Sequence, residues 1–169
     1  MLGIKIIIYT FIFLTTSLIG ILKSKKYVYR VEELREFKVA LNIFKTKLIF
    51  TKEPIQEIFE EIAENSTQNV GNVFKIANKI MENESAEKSW NMAIELSILN
   101  ITEEDKSILK NMGNLLGMTD VEGQINQIEL TEKFLEEQII KGEKEKQKNE
   151  KLYRTLGMTA GLGIVIILI

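Results

Sequence analysis

Cysteine and histidine are both absent from this chain. Without cysteine there is no disulfide framework, no thiol nucleophile and no thiolate metal site. Without histidine the commonest metal ligand is missing, and so is the usual general base near neutral pH. Carboxylate chemistry stays open in principle, but the two absences argue against an enzyme and against a resident cofactor or small-molecule substrate. A net charge of −2 gives no electrostatic reason to expect nucleic acid as a partner. No glycine-rich loop ending in Gly-Lys-Ser/Thr occurs, so nucleotide energy must come from another protein. Proline occurs once, at Pro54, which leaves few places where a helix is forced to stop.

What is present is an apolar stretch at each end with nearly all the charge between them. Residues 6–22 run for seventeen positions without a charge, and residues 156–169 for fourteen. A spanning helix needs about twenty apolar residues, with about seventeen as a practical minimum. The first stretch qualifies and reads as an uncleaved anchor. It is long for a signal-peptide core, and no Ala-x-Ala-like site follows. The second stretch is shorter, about 21 Å at ~1.5 Å per residue against a hydrocarbon core of about 30 Å. A full span with local thinning and a half-inserted anchor both remain open for it. Tyr153 suits the interfacial belt, with Lys151 and Arg154 in the headgroups. Gly157, Gly161 and Gly163 make one side of this segment small, and Gly157 with Gly161 forms a small-xxx-small spacing that lets helices pack closely in lipid.

Basic residues set the orientation. Lys23, Lys25, Lys26 and Arg30 follow the first stretch, and Lys151 and Arg154 adjoin the second. By the positive-inside rule the charged middle faces the cytoplasm, and these side chains are expected to meet anionic headgroups. The expected organisation is an anchor over 1–22, a soluble helical domain over 23–154 and a transmembrane segment over 155–169.

The middle carries helical periodicity throughout. Val31, Leu34, Phe37, Leu41, Phe44 and Leu48 recur in steps of three and four down one face. Pro54 fits the first turn of a second helix whose inner face is Ile55, Ile58, Phe59 and Ile62. Val70, Val73, Phe74, Ala77, Ile80 and Met81 draw a third. Ser85 is placed to cap a fourth, with Trp90, Ile94 and Ile98 inward, and the only tryptophan reads as a core anchor. Thr102 and Asp105 resemble a capping box for a fifth helix carrying Ile108, Leu109, Met112, Leu115 and Leu116. Gly117 sits where a left-handed cap would end it. Thr119 or Asp120 opens the last helix, with Ile125, Ile128, Leu135 and Ile139 inward. Residues 141–151, polar all round, predict a solvated stalk with Gly142 as its weak point. The expectation is an all-α protein, a compact bundle of about six helices between an N-terminal and a C-terminal transmembrane helix.

The segment Met112-Gly113-Asn114-Leu115-Leu116-Gly117-Met118-Thr119-Asp120, running on to Gln124, resembles the stage III sporulation protein AB family. So does Asn149-Glu150-Lys151-Leu152-Tyr153-Arg154-Thr155-Leu156-Gly157 with the glycines around Gly161. Pro54 and Trp90 fall where that family has a proline turn and a tryptophan, and the similarity runs from one apolar end to the other. Met112 departs from the pattern, standing where phenylalanine is expected; the swap touches packing. The family-like cluster is Trp90, Gly113, Leu116, Gly117, Asp120 and Gln124, and helix capping accounts for most of it.

The resemblance implies a cytoplasmic helical domain like those of the inner-membrane platform proteins of type II secretion and type IV pilus machines. It implies a place in the sporulation channel between mother cell and forespore, in the mother-cell-derived membrane. A cytoplasmic secretion-type ATPase, the stage III sporulation protein AA, and other channel subunits are the partners it implies. The leading expectation is thus a non-enzymatic platform coupling that ATPase to the channel. The alternative is a membrane-tethered scaffold acting by coiled-coil self-association, although the stripe in the first helix covers only about two and a half heptads where three or four are wanted. Glu57, Glu60, Glu61 and Glu64, at helical spacing, read as a solvated face rather than an acid–base pair.

Overall fold

A computed structural model describes residues 2–168; Met1 and Ile169, the outermost residues of the two apolar segments, lie outside the described residues. Among the described residues there are six α-helices and no strand: α1 Leu2–Phe50, α2 Ile55–Asn65, α3 Gln68–Ile80, α4 Ala86–Leu96, α5 Glu103–Gly113 and α6 Val121–Leu168. The all-α expectation holds. The chain divides into two compact units. One is Arg30–Ile140; the other joins the stretch up to Tyr29 with the stretch from Lys141 onward. Residues 23–29 and 141–154 fall in the same unit as the apolar segments. Gly142 is buried and leaves α6 unbroken.

In Arg30–Ile140 the whole stripe of α1, from Val31 through Leu48, is buried. The helix ends after Phe50, where the N–H groups of Thr51 and Lys52 both donate to the Lys47 carbonyl at 3.0 and 3.1 Å. Lys52 takes a left-handed backbone, φ 51°, a conformation that costs a side chain with a Cβ about 1 kcal/mol. Pro54 then caps α2, one place before the first turn expected for it, and its carbonyl accepts from the Ile58 N–H at 3.2 Å. The inner faces of α2, α3 and α4 meet in a chain of rings. Phe44 lies 5.3 Å from Phe59, Phe59 lies 5.1 Å from Phe74, and Phe74 lies 5.1 Å from Trp90. All four are fully buried. Edge-to-face and tilted pairs of this kind add about 0.5–1.5 kcal/mol each beyond the area they bury.

The capping signals at α4 and α5 are realised. Ser85 Oγ accepts from the Lys88 N–H at 3.3 Å. Thr102 and Asp105 form the full reciprocal box, at 2.8 and 3.3 Å. Two expectations need correction. Ile98 lies beyond the end of α4 and is 90% exposed, because Ser97 already leaves the helix with an extended backbone. α5 stops at Gly113, short of Leu115 and Leu116; residues 114–118 continue as tight turns, with Leu116 N–H donating to the Gly113 carbonyl at 3.0 Å. Leu116 is nonetheless buried.

In the other unit the first part of α1 and the last part of α6 run antiparallel. Tyr27 stacks on Tyr153 with centroids 5.8 Å apart, and at the opposite end the Tyr9 hydroxyl donates to the Leu168 carbonyl at 2.7 Å. Both helices are long and apolar enough to cross a membrane, with windows of mean hydropathy 2.0 and 1.4. Only 6% of each window is buried, unlike the core helix of a water-soluble protein.

Candidate functional site

Trp90, Gly113, Leu116, Gly117, Asp120 and Gln124 come together as two adjoining corners rather than one pocket. At the first, the Trp90 indole N–H donates to the Leu109 carbonyl at 2.6 Å. The ring lies against Gly113, where a Cβ would stand 2.7 Å from Trp90 Cδ1. Glycine is thus needed at 113 for close approach, not for its backbone angles. At the second corner Gly117 adopts φ +70°, the left-handed turn that only glycine takes without strain. Its N–H donates to Gln124 Oε1 at 3.4 Å, and Gln124 Nε2 donates to the Thr119 carbonyl at 3.1 Å. Asp120 Oδ1 accepts from the Gly123 N–H at 2.9 Å. Asp120, rather than Thr119, therefore caps α6. Geometry of this kind sets the path of the chain from α4 to α6.

A second cluster was not legible as such from the sequence. Arg30, expected to face lipid headgroups, is 4% exposed and sits inside the helical unit. Its Nε donates to Asp105 Oδ2 at 2.8 Å, and its Nη2 to Asp105 Oδ1 at 3.0 Å and Gln138 Oε1 at 3.1 Å. This corrects the headgroup assignment. Arg30 lies four residues before Leu34 on the core face of α1, so its side chain enters the bundle. That position, a charge in register with an apolar stripe, was the signal in the sequence. Burial pushes the Asp105 carboxyl up, but the Arg30 guanidinium, with the backbone and hydroxyl of Thr102, outweighs it and holds the group below the ordinary carboxylate value.

Glu33, one position from that stripe, is buried too. Its Oε1 accepts from Asn69 at 2.8 Å and from the Asn100 amide at 2.7 Å; its Oε2 accepts from the Asn100 backbone N–H at 2.6 Å. These two nodes tie α1 to α3, to the α4–α5 connection, to α5 and to α6. They are hydrogen-bonded lattices with fixed partners and offer no acid or base in an open cavity.

The remaining basic residues behave differently from Arg30. Lys23, Lys25, Lys26, Lys151 and Arg154 all stay exposed. Gly157 and Gly161 meet α1. A Cβ on Gly157 would lie 2.9 Å from the Gly20 Cα, and Gly161 packs on Thr16 and Phe13. Gly163, grouped with them from sequence, has nothing within 4 Å of its Cβ position. Two residues along a helix turns about 200°, so Gly163 points away from the face that carries Gly161. Gly20 and Thr16 were the partners that sequence reasoning missed. Their own small-xxx-small spacing inside the first apolar stretch was the signal.

An open cleft of about 870 Å³ lies between α2 and α3, lined by Glu57, Glu60, Glu64 and Glu82 with Lys75 and Lys79. Its mixed charge marks a hydrated groove. Among the described residues no group of three or more Asp and Glu is arranged to hold a metal ion.

A family model described as Stage III sporulation protein AB matches residues 5–169. The chain is 25% identical over 169 residues to the stage III sporulation protein AB of Bacillus subtilis (strain 168), covering 98% of this chain and 99% of that one. Its structure is similar to a solved stage III sporulation protein AB, with a TM-score of 0.66 at 21% identity over 70% of this chain and 96% of the other. That structural likeness bears on the fold.

Proposed function

This chain belongs to the stage III sporulation protein AB family, which places it in sporulation, and from that premise we propose that it is a non-enzymatic membrane platform. In this reading it couples a cytoplasmic secretion-type ATPase, the stage III sporulation protein AA, to the channel between mother cell and forespore. The helical unit faces the mother-cell cytoplasm, and the apolar helices hold it in the membrane that surrounds the forespore.

The observation that carries this reading is the family match across nearly the whole chain, both apolar helices included. The helical unit adds physical support. A platform has to transmit position or force, and a unit with a ring-packed core and buried polar ties resists deformation in a way that a loose tail does not. The self-associating scaffold loses its seam. The near-heptad residues of α1, from Val31 to Leu48, are used up in the chain's own core.

Full-length protein in detergent, mixed with the ATPase and recovered by affinity tag, tests the coupling. Retention of the ATPase that changes with nucleotide is the expected result. Absence of retention in every nucleotide state, with the platform folded by circular dichroism, would refute the coupling and leave only the family assignment.

A further inference from the structure

The small faces of the two apolar helices are turned toward each other. At Gly20 a Cβ would stand 2.6 Å from the Tyr153 carbonyl oxygen and 2.9 Å from the Gly157 Cα, so the two backbones touch. Residues along the α1 side of this seam include Tyr9, Phe13, Thr16, Gly20 and Tyr27, and they meet Leu168, Gly161, Gly157 and Tyr153 on α6. From Tyr9 to Tyr27 the seam rises about 27 Å at ~1.5 Å per residue, close to the ~30 Å of a bilayer core. Ile7, Phe11, Leu14, Leu18 and Leu22 lie outside it and are exposed, while Tyr9, Phe13 and Tyr27 flank the glycine crossing. The hydroxyls of Thr10, Thr15, Thr16 and Thr159 return to carbonyls of their own helices at 2.9 to 3.0 Å. They therefore need no water.

We propose that the two apolar segments form one antiparallel transmembrane hairpin, closed on itself at a Gly20–Gly157 crossing, so that the small-residue face of α6 is occupied by the chain's own α1 and not by a second copy or another subunit. In lipid there is no hydrophobic drive between helices, and close backbone approach with van der Waals packing decides which faces pair. The inference rests on both segments lying in the membrane, which resistance to carbonate extraction tests on its own.

The absence of cysteine gives a clean background for the test. Full-length protein carrying Thr16→Cys with Gly161→Cys, expressed in bacterial membranes and oxidised with copper phenanthroline, is expected to give a monomer-sized product in which both thiols are blocked to a maleimide. The pair Thr16→Cys with Gly163→Cys, aimed at the outer face, is expected to react far less. Adding Gly20→Ile to the first pair lowers the yield roughly tenfold, since a branched side chain cannot fit the crossing. A dimer-sized product, equal yields from the two pairs, or a yield indifferent to Gly20→Ile would each overturn the hairpin while carbonate-washed membranes retain the protein. Release of the unmodified protein by carbonate would instead remove the membrane reading, and the hairpin with it.

Discussion

Arg30–Ile140 and the paired apolar helices solve the same problem, helix against helix, with opposite residue types. In the first, Phe44, Phe59, Phe74 and Trp90 fill the interior and no glycine crossing joins α1 to α6. In the second, the closest contact is Gly20 on Gly157, and Ile7, Phe11, Leu14, Leu18 and Leu22 point outward. The difference follows from the solvent each expects. In water, burying a ring yields about 25 cal/mol per Å² of apolar surface, so bulk belongs inside. In lipid, a leucine is as well solvated outside as inside, so bulk at the seam only keeps backbones apart.

The largest effect that would sharpen this contrast is Phe59→Ala. Phe59 touches three other rings. Its truncation should destabilise the helical unit by about 4 kcal/mol, read from denaturant unfolding of the full-length chain in detergent with Trp90 fluorescence as reporter. The seam crosslink described above should survive it.

Next comes Asp105→Ala, which leaves Arg30 buried without its carboxylate and should cost about 3 kcal/mol. Combining it with Arg30→Met should recover most of that loss; no recovery would mean that the pair does more than compensate its own burial. The same pair sets a pH dependence. Asp105 has a lower pKa folded than unfolded, so the folded state binds fewer protons and stability rises with pH through that interval. The contribution should be complete above the ordinary aspartate value of about 4 and be lost as pH falls below it toward the lowered folded value. Asp105→Asn should flatten that part of a stability–pH curve.

Within the apolar pair, Gly20→Ile should weaken helix association by about 1–2 kcal/mol, whereas Leu18→Ala, on the outer face, should change it by less than about 0.5 kcal/mol. Both are read by resonance energy transfer between labelled helices in vesicles. Equal effects would erase the distinction between a seam and a lipid face.

Smaller effects are expected at the α5–α6 corner, where Gly117→Ala forces a Cβ into a left-handed turn and Asp120→Ala removes the α6 cap. Each should cost about 1 kcal/mol in melting experiments without disturbing the Trp90 environment. Lys52→Gly should act in the other direction, adding about 0.5 kcal/mol by relieving the left-handed residue that ends α1.

Much of this was legible in one dimension. The α1 stripe, the inner faces of α2 and α3, the Ser85 cap and the Thr102–Asp105 box all depend on residues three or four apart, and helical geometry turns such spacing directly into a face or a cap. The left-handed backbone of Gly117 was legible as a local demand, but it does not cap α5, which ends four residues earlier at Gly113 with Asn114 as its cap. Two misreadings were local, at Ile98 and at the end of α5; the others gathered where the answer lay elsewhere in the chain. Arg30 looked like a headgroup lysine's neighbour because it closes a basic run, and only Asp105, 75 positions on, makes it a core residue. Gly163 looked equivalent to Gly157 and Gly161 until a partner helix gave the segment an inside and an outside.

The amino-acid order by itself determined where the six helices lie, which faces are apolar, how α4 and α5 are capped at their N-termini and which two segments suit a bilayer, because each of these is fixed by side chains within a turn or two of one another. Which charges are buried in pairs, which glycines touch and which point outward was decided only in three dimensions. Those outcomes depend on distant segments meeting, and a buried charge or a bare backbone is favourable only against the particular surface that arrives to meet it.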